Sequence, residues 1–213
     1  LAQEHLDLIG HLRQYLRDTV SPCQRPKGKP MPITRLIAGL QRRRAARVAV
    51  HRTYGAVVAQ ARLPVFYARY GVPDTLDGRF ELIALHMFLV LHRLRAETEA
   101  EGFRQALFDL LFADMDRSLR EMGVGDLSVG KQVKRMAEGF YGRIDAYRRG
   151  LPDQTALEQA LRGNLYGTVS DPDGDSIAFT GRYLRAQWAA LEALPTETLL
   201  AGGLAFAPVE SCN

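Results

Sequence analysis

Leu82-Ile83-Ala84-Leu85-His86-Met87-Phe88-Leu89-Val90-Leu91 decides the fold. This is the longest apolar stretch in the chain, broken only by His86 and closed by His92 and Arg93. A bilayer span needs about 20 apolar residues, so the stretch is too short and too interrupted to be one. It reads instead as the middle of a helix over about 76–96 that is apolar nearly all round. Such a helix belongs at the centre of a bundle, where each large buried side chain contributes roughly 1.5–3 kcal/mol. Pro73-Asp74-Thr75 supplies turn and cap chemistry just ahead of it.

The flanking segments carry helical stripes. Phe103, Leu107, Leu111, Met115, Leu119 and Met122 align over about 101–122, and Gly123 stands where a C-terminal glycine cap is expected. Val129, Val133, Met136, Phe140, Ile144 and Tyr147 align over about 128–149. Two further helices are predicted near 154–165 and 176–193, the second after the turn Asp171-Pro172-Asp173-Gly174-Asp175. No segment alternates with period two, so strands are not expected. The predicted fold is all-α, a single compact multi-helix bundle with an N-terminal helical extension. Residues 96–126 hold eight acids against three arginines, and residues 127–150 hold six basic residues against two acids. An acidic helix followed by a basic one favours an antiparallel hairpin, although exposed pairs contribute under about 1 kcal/mol each.

Toward the N-terminus, Leu8, Leu12, Tyr15 and Leu16 share a stripe over 4–19. Ser21 to Pro30 then reads as a linker, with three prolines and Gly28 and no periodicity. Met31 follows, and one hypothesis is that it is the native start, with residues 1–30 an upstream extension. The division expected is 1–30 extension and linker, 31–192 helical domain, 193–213 C-terminal tail.

The 213 residues are 46% hydrophobic and 24% charged, an ordinary globular composition with a formal charge of only +4. Charge placement says more. Among the 28 basic residues only Lys27, Lys29, Lys131 and Lys134 are lysines. Met31 to Tyr70 holds eight arginines and no Asp or Glu, and helical spacing persists there, with Val48, Thr53, Val57 and Ala61 roughly aligned. A basic, acid-free helix suits a transit peptide, a membrane-surface helix or an RNA-facing helix, with a plainly solvated face as the alternative. Arg42, Arg43, Arg44, Arg47 and Arg52 are the candidate contacts to ribosome or anionic membrane. Cys23 and Cys212 form no CxxC pair and cannot build a four-ligand zinc site by themselves, so a reducing compartment is expected. No signal-peptide pattern opens the chain, and the protein is expected to be soluble.

Three patterns resemble chemistry without completing it. Gly125-Asp126-Leu127-Ser128-Val129-Gly130-Lys131 matches the GxxxxGK of a phosphate-binding loop, but Gln132 stands where Ser or Thr should hold magnesium, and the preceding residues read as a helix end. The simpler reading is a helix–loop–helix corner, with Gly123 and Gly125 permitting the turn and Ser128 or Asp126 capping the next helix. Asp171 to Asp175 resembles a calcium loop, but Arg182 occupies the twelfth position, where a bidentate Glu is required. His86 and His92, six residues apart, fall on opposite helix faces, as do His5 and His11, and His51 stands alone. His86 is most simply a histidine satisfied inside the bundle. No catalytic residue, cofactor or metal ligand is assigned.

Pro64-Val65-Phe66-Tyr67 and Tyr70-Gly71-Val72-Pro73-Asp74-Thr75-Leu76-Asp77-Gly78-Arg79-Phe80-Glu81-Leu82-Ile83, continuing to Leu91, resemble the ubiquinol–cytochrome c chaperone family. So do Leu107-Phe108-Asp109, Asp114-Met115-Asp116-Arg117-Ser118-Leu119-Arg120-Glu121-Met122-Gly123-Val124-Gly125-Asp126-Leu127, Val129 to Lys134, and Phe140-Tyr141-Gly142-Arg143. The resemblance covers roughly 31–192.

It implies a non-catalytic assembly factor. Mitochondrial members help make and assemble cytochrome b of ubiquinol–cytochrome c reductase, holding it near the ribosomal exit together with a small partner protein. The chain lacks their long leader and is read as bacterial: cytoplasmic and peripheral to the inner membrane, or on the matrix side if eukaryotic. A membrane-protein client presents apolar helices, so its chaperone needs an apolar groove with a polar rim. The 83–91 helix and Met115, Met122 and Met136 could line one, methionine adapting to varied partners; the competing view is that they are simply core. Asp114, Asp116, Arg117, Arg120, Glu121, Met122, Lys131 and Lys134 are the candidate partner-binding residues. The other readings are an Arg-rich helical RNA- or ribosome-binding module, with no DNA partner expected, and a nucleotide-dependent enzyme at the GxxxxGK match. That last reading makes ATP binding depend on Lys131. On the non-catalytic reading, equilibrium dialysis of wild type and Lys131→Ala against ATP gives the same baseline for both.

Overall fold

The computed structural model describes residues 33–209, with side chains from Leu40 onward, that of Leu127 aside. The stripe over 4–19, the linker, Met31, His5, His11, Cys23, Cys212, Lys27 and Lys29 lie outside the described residues. The chain divides into two compact units, Leu1–Gly39 and Leu40–Asn213. Of the first, only the opening turns of a helix are described.

That helix, α1 (Ile33–Ala61), is followed by α2 (Pro64–Ala68), α3 (Leu76–Arg93), a 3-10 turn (Thr98–Ala100), α4 (Glu101–Glu121), α5 (Asp126–Gly150), α6 (Gln154–Gly163), α7 (Gly174–Ala193) and α8 (Thr196–Leu200). No strand occurs among the described residues. None of the described helices is long and apolar enough to cross a membrane.

α3 is the axis, as its sequence demands. Every residue from Phe80 to Val90 is buried, and α5 and α7 pack against it directly. Thr75 caps its start, accepting from the Gly78 amide at 3.2 Å. Gly78 has a second role: a Cβ there would stand 2.0 Å from the Pro73 carbonyl oxygen, so the turn can fold against the first helical turn only without a side chain.

Three polar side chains of this helix, Glu81, His86 and Arg93, are matched from far along the chain. Glu81 is gripped by the Arg143 fork of α5, whose Nε donates to both carboxylate oxygens at 2.8 and 2.7 Å while Nη2 also reaches Oε1. Burial pushes the Glu81 carboxyl up, and Arg143 offsets part of that. The Arg143 guanidinium also lies over the Phe80 ring, 5.5 Å from its centroid. At the C-terminal end of α3, Arg93 donates to the Leu191 and Leu194 carbonyls, each at 3.0 Å, and to Thr196 at 3.1 Å. It thereby satisfies carbonyls at the end of α7, sharing that of Leu191 with the Leu194 amide.

Several boundaries differ from the sequence reading, each for a local reason. α1 ends at Ala61, not near Tyr70, because Pro64 has no amide to continue it and starts α2 instead. Val48 is 44% exposed while Ala49, Val50, Thr53, Val57 and Ala61 are buried, so the inward stripe begins one residue later than Val48. Neither Ser128 nor Asp126 caps α5. Gly125 occupies the cap position without a side-chain bond, and Asp126 turns back to pair with Arg120. α7 starts two residues earlier than 176 because Asp173 caps it, accepting from the Ser176 amide at 2.9 Å and hydroxyl at 2.8 Å. The α4–α5 hairpin is joined by rings more than by charge: Phe108 lies 5.5 Å from Tyr141, and Phe112 5.9 Å from Phe140.

Residues 194–209, expected as a tail, carry buried Leu199, Leu204 and Val209. The buried Gln187 amide pairs with both backbone groups of Ala207, at 2.8 and 2.9 Å, and fastens this segment to α7.

Replacing Gly78 with alanine forces a methyl group onto the Pro73 carbonyl. We expect Gly78→Ala to lose about 1–3 kcal/mol in urea unfolding, the usual cost of overpacking. An unchanged midpoint would mean that the turn can move aside freely.

Candidate functional site

The matching segments around Pro64–Ile83 and Asp114–Met122 are far apart in sequence and meet in one place. Between the end of α1, α2, the N-terminal half of α3 and the C-terminal half of α4 lies an open groove of about 920 Å3. Leu76, Phe80, Ile83, Met115 and Met122 supply its apolar surface, and Arg62, Tyr67, Asp74, Arg79, Asp114 and Glu121 its polar surround. Phe80, Ile83 and Met115 are buried and form a fixed floor, whereas Leu76 and Met122 are 50% and 51% exposed. Two large apolar side chains at the lips of an apolar trough are a feature of binding surfaces.

The polar surround is mostly pre-paired. Arg79 bonds Asp74 at 2.7 Å and holds that carboxyl below its usual range. Asp114 accepts from the Tyr54 hydroxyl at 2.8 Å and pairs with Arg117, so it ties α4 to α1. Burial first, and then the Asp114 carboxylate, push the Tyr54 phenol up. The Tyr67 hydroxyl donates to the Ala61 carbonyl at 3.0 Å, and its body forms part of the wall. Arg62 and Glu121 are the exposed rim charges for which no such pairing occurs among the described residues.

Of the candidate partner-binding residues, Asp114, Glu121 and Met122 line the groove. Asp116, Arg117 and Arg120 lie on α4 outside it, Arg120 bridging Asp116 at 2.7 Å and Asp126 across the corner. Lys131 is exposed, and Lys134 stands 3.8 Å from Glu138. Met136 packs against the core and has no part in the groove. Leu76, Arg62 and Arg79 were not singled out from sequence. A usable signal did exist for Leu76, a large apolar residue in the first helical position, beside a polar cap. The arginines Arg42, Arg43, Arg44, Arg47 and Arg52 are all exposed on α1.

The GxxxxGK match falls on the corner between two helices. Gly123 adopts φ +82°, and the amides of Gly123 and Val124 bond back to the Arg120 and Leu119 carbonyls at 2.9 and 3.1 Å. This is the glycine-terminated helix end that needs a residue without Cβ strain. A helix precedes the motif where a phosphate loop requires a strand.

The arrangement closest to a catalytic one is sealed in the core. The Tyr183 hydroxyl lies 2.7 Å from His86 Nε2, and His86 Nδ1 lies 2.7 Å from the Leu82 carbonyl. A carbonyl only accepts, so Nδ1 carries the proton and Nε2 accepts from Tyr183, which in turn accepts from Gln60 at 2.9 Å. His86 is 0% exposed. Burial lowers its pKa to about 4. It is a neutral packing residue with its polar atoms matched, walled by Phe66 and Phe206. His92 faces elsewhere, between Phe88 and Trp188.

Residues 68–206 match the family model described as ubiquinol-cytochrome C chaperone. The chain belongs to this family. The match starts later than residue 31 and runs past residue 192, in keeping with the core contacts of the C-terminal segment. The chain is 27% identical over 159 residues to ubiquinol-cytochrome-c reductase complex assembly factor 1 of Xenopus laevis, covering 74% of this chain and 79% of that protein. It is 28% identical over 148 residues to the mitochondrial protein CBP3 of Saccharomyces cerevisiae, covering 67% of this chain and 44% of that one. The match to the human assembly factor 1 covers 53% of that protein, so the chain spans about half the length of these longer relatives. The crystal structure of the Cbp3 homolog from Brucella abortus superposes with a TM-score of 0.75 at 36% identity, covering 84% of this chain and 98% of that one.

The sealed histidine makes a prediction. An unfolded histidine titrates near 6.5, whereas folded His86 stays neutral down to about 4. Between those values the unfolded chain binds the extra proton, so stability falls as pH falls, by about 1.4 kcal/mol per unit from this residue. Glu81, with its carboxyl pushed up, pulls in the opposite direction, so His86 is isolated by comparing wild type with His86→Gln. Urea unfolding at pH 7, 6 and 5 is expected to show a clearly shallower decline in the variant, and parallel declines would place the titration elsewhere.

Proposed function

We propose that this chain is an assembly chaperone for ubiquinol–cytochrome c reductase that binds newly made cytochrome b and catalyses no reaction. The observation that carries this reading is the convergence of two family segments on one groove, with a buried apolar floor, two exposed apolar lips and a rim of charge paired except at Arg62 and Glu121. An apolar helix laid in such a groove would cover Leu76 and Met122 and leave the rim charges in water, so little desolvation opposes binding. Methionine at the lip adapts to helices of differing sequence. Arg62 and Glu121, with no partner of their own in the groove, would set the orientation of the bound segment. We assign Asp116, Arg117, Arg120, Lys131 and Lys134 to a second contact at the α4–α5 corner, suited to a further assembly partner such as a small protein.

The reading is tested at the lips. A photo-crosslinking residue at Leu76 or Met122 is expected to capture cytochrome b in cells, while the same probe at Arg162 on α6 is not. Leu76→Glu with Met122→Glu should reduce assembled cytochrome b several-fold with its transcript unchanged. Both side chains are half exposed, so the melting temperature should barely move. Normal cytochrome b assembly in this double variant would overturn the assignment of the groove.

A further inference from the structure

Among the described residues, the exposed large apolar side chains are Leu40, Val48, Leu76 and Met122. Leu76 and Met122 belong to the groove. Leu40 and Val48 are 57% and 44% exposed and stand on α1. Their neighbours at helical spacing are Arg44, Arg47, His51 and Arg52, which with Val48 enclose a shallow surface recess. Positions 40, 44, 47, 48, 51 and 52 fall on one side of a helix. The side facing the core is set by Ala49, Val50, Thr53, Tyr54 and Val57. The basic stripe is thus turned to solvent by the packing of the rest of the helix.

Three features fix the chemistry of what it contacts. Arg42, Arg43, Arg44, Arg47 and Arg52 form no ion pair with any described residue, unlike Arg79 at the groove and Arg117 and Arg120 near the corner. Glu99 and Asp109 border the adjoining apolar recess that also reaches Arg47 and His51, so they flank the stripe without entering it. Aliphatic side chains also lie among the charges. Duplex RNA is gripped by phosphate and 2′-hydroxyl contacts and unpaired bases by stacking platforms, and neither mode uses exposed leucine and valine set among the arginines. Of the Phe and Tyr side chains around it, Phe103 in the adjoining recess and Tyr54 on the inner side of α1 are both buried, and Tyr54 is bonded to Asp114. Arginines that reach phosphate headgroups while leucine and valine enter the acyl boundary are the pattern of a helix lying on an anionic bilayer.

We infer that the Leu40–Arg52 face of α1 docks the protein on an anionic lipid surface. Arg62, at the edge of the groove, directly follows the last residue of the same helix, about 27 Å from Arg44 along its axis. A protein held by this face would keep its groove within reach of the bilayer.

The test is co-flotation of the full chain with vesicles of 30% phosphatidylglycerol in phosphatidylcholine, against vesicles of phosphatidylcholine alone. Partitioning is expected on the anionic vesicles and not on the neutral ones. Arg44→Gln, Arg47→Gln and Arg52→Gln combined should lower it roughly a hundredfold, about fivefold for each arginine. Leu40→Ser with Val48→Ser, which leaves every charge in place, should lower it several-fold. These residues are exposed, and an unchanged circular-dichroism melt verifies folding. A parallel gel shift with structured RNA decides the rival. RNA binding that ignores Leu40→Ser and Val48→Ser, with no flotation of wild type, overturns the inference. Flotation insensitive to the three arginines overturns it as well.

Discussion

The middle of helix α3 has no face to give to water. From Phe80 to Val90 each residue is buried, so the surrounding helices must pack around this stretch, and its Glu81 and His86 side chains have to be met by partners inside the domain. This requirement sets the rest of the domain. α5 brings Arg143 to Glu81, α7 brings Tyr183 to His86, and Arg93 reaches out to close the end of α7. Leaving one buried polar group unmatched costs about 1–3 kcal/mol, more if it is charged. These bonds therefore fix the orientation of the helices that the apolar contacts only bring together.

The groove is a by-product of the same arrangement. Phe80 and Ile83 are core residues of α3 that also form its floor, and Asp114 and Tyr54 lock α4 to α1 along its edge. The floor is as rigid as the core because it is the core. Adaptability is confined to the lips, where Leu76 and Met122 are free to change rotamer. Charge is divided similarly. Around the groove and the corner it is largely consumed in short-range pairs, whereas on the first half of α1 it is left open.

Much of this was legible in the sequence. A helix apolar on all sides announces its own central position, the stripes of α4 and α5 follow the 3.6-residue period closely, and Gly123 marks its corner. The all-α class and the family both follow from residues that act locally. What could not be read depends on distance along the chain. Gln60, Tyr183 and His86 are separated by up to 123 residues, and Gln187 meets Ala207 only once the C-terminal segment has folded back. Leu76 escapes a periodicity reading because it starts a helix instead of extending its stripe. Val48 misled by sitting one position before the true inward face. The exchange of Asp126 from cap to ion pair turned on Gly125, whose flexible backbone can occupy the cap position itself.

The matching of α3 by α7 has a cost during synthesis. Arg93 and His86 find their partners about a hundred residues later, which gives the bundle more non-local closure than a simple up-and-down arrangement and a correspondingly slower route to the native state. Until α7 has emerged from the ribosome, α3 is a greasy helix with one side uncovered. The protein therefore passes, while being born, through the same hazard from which its groove is proposed to shelter others.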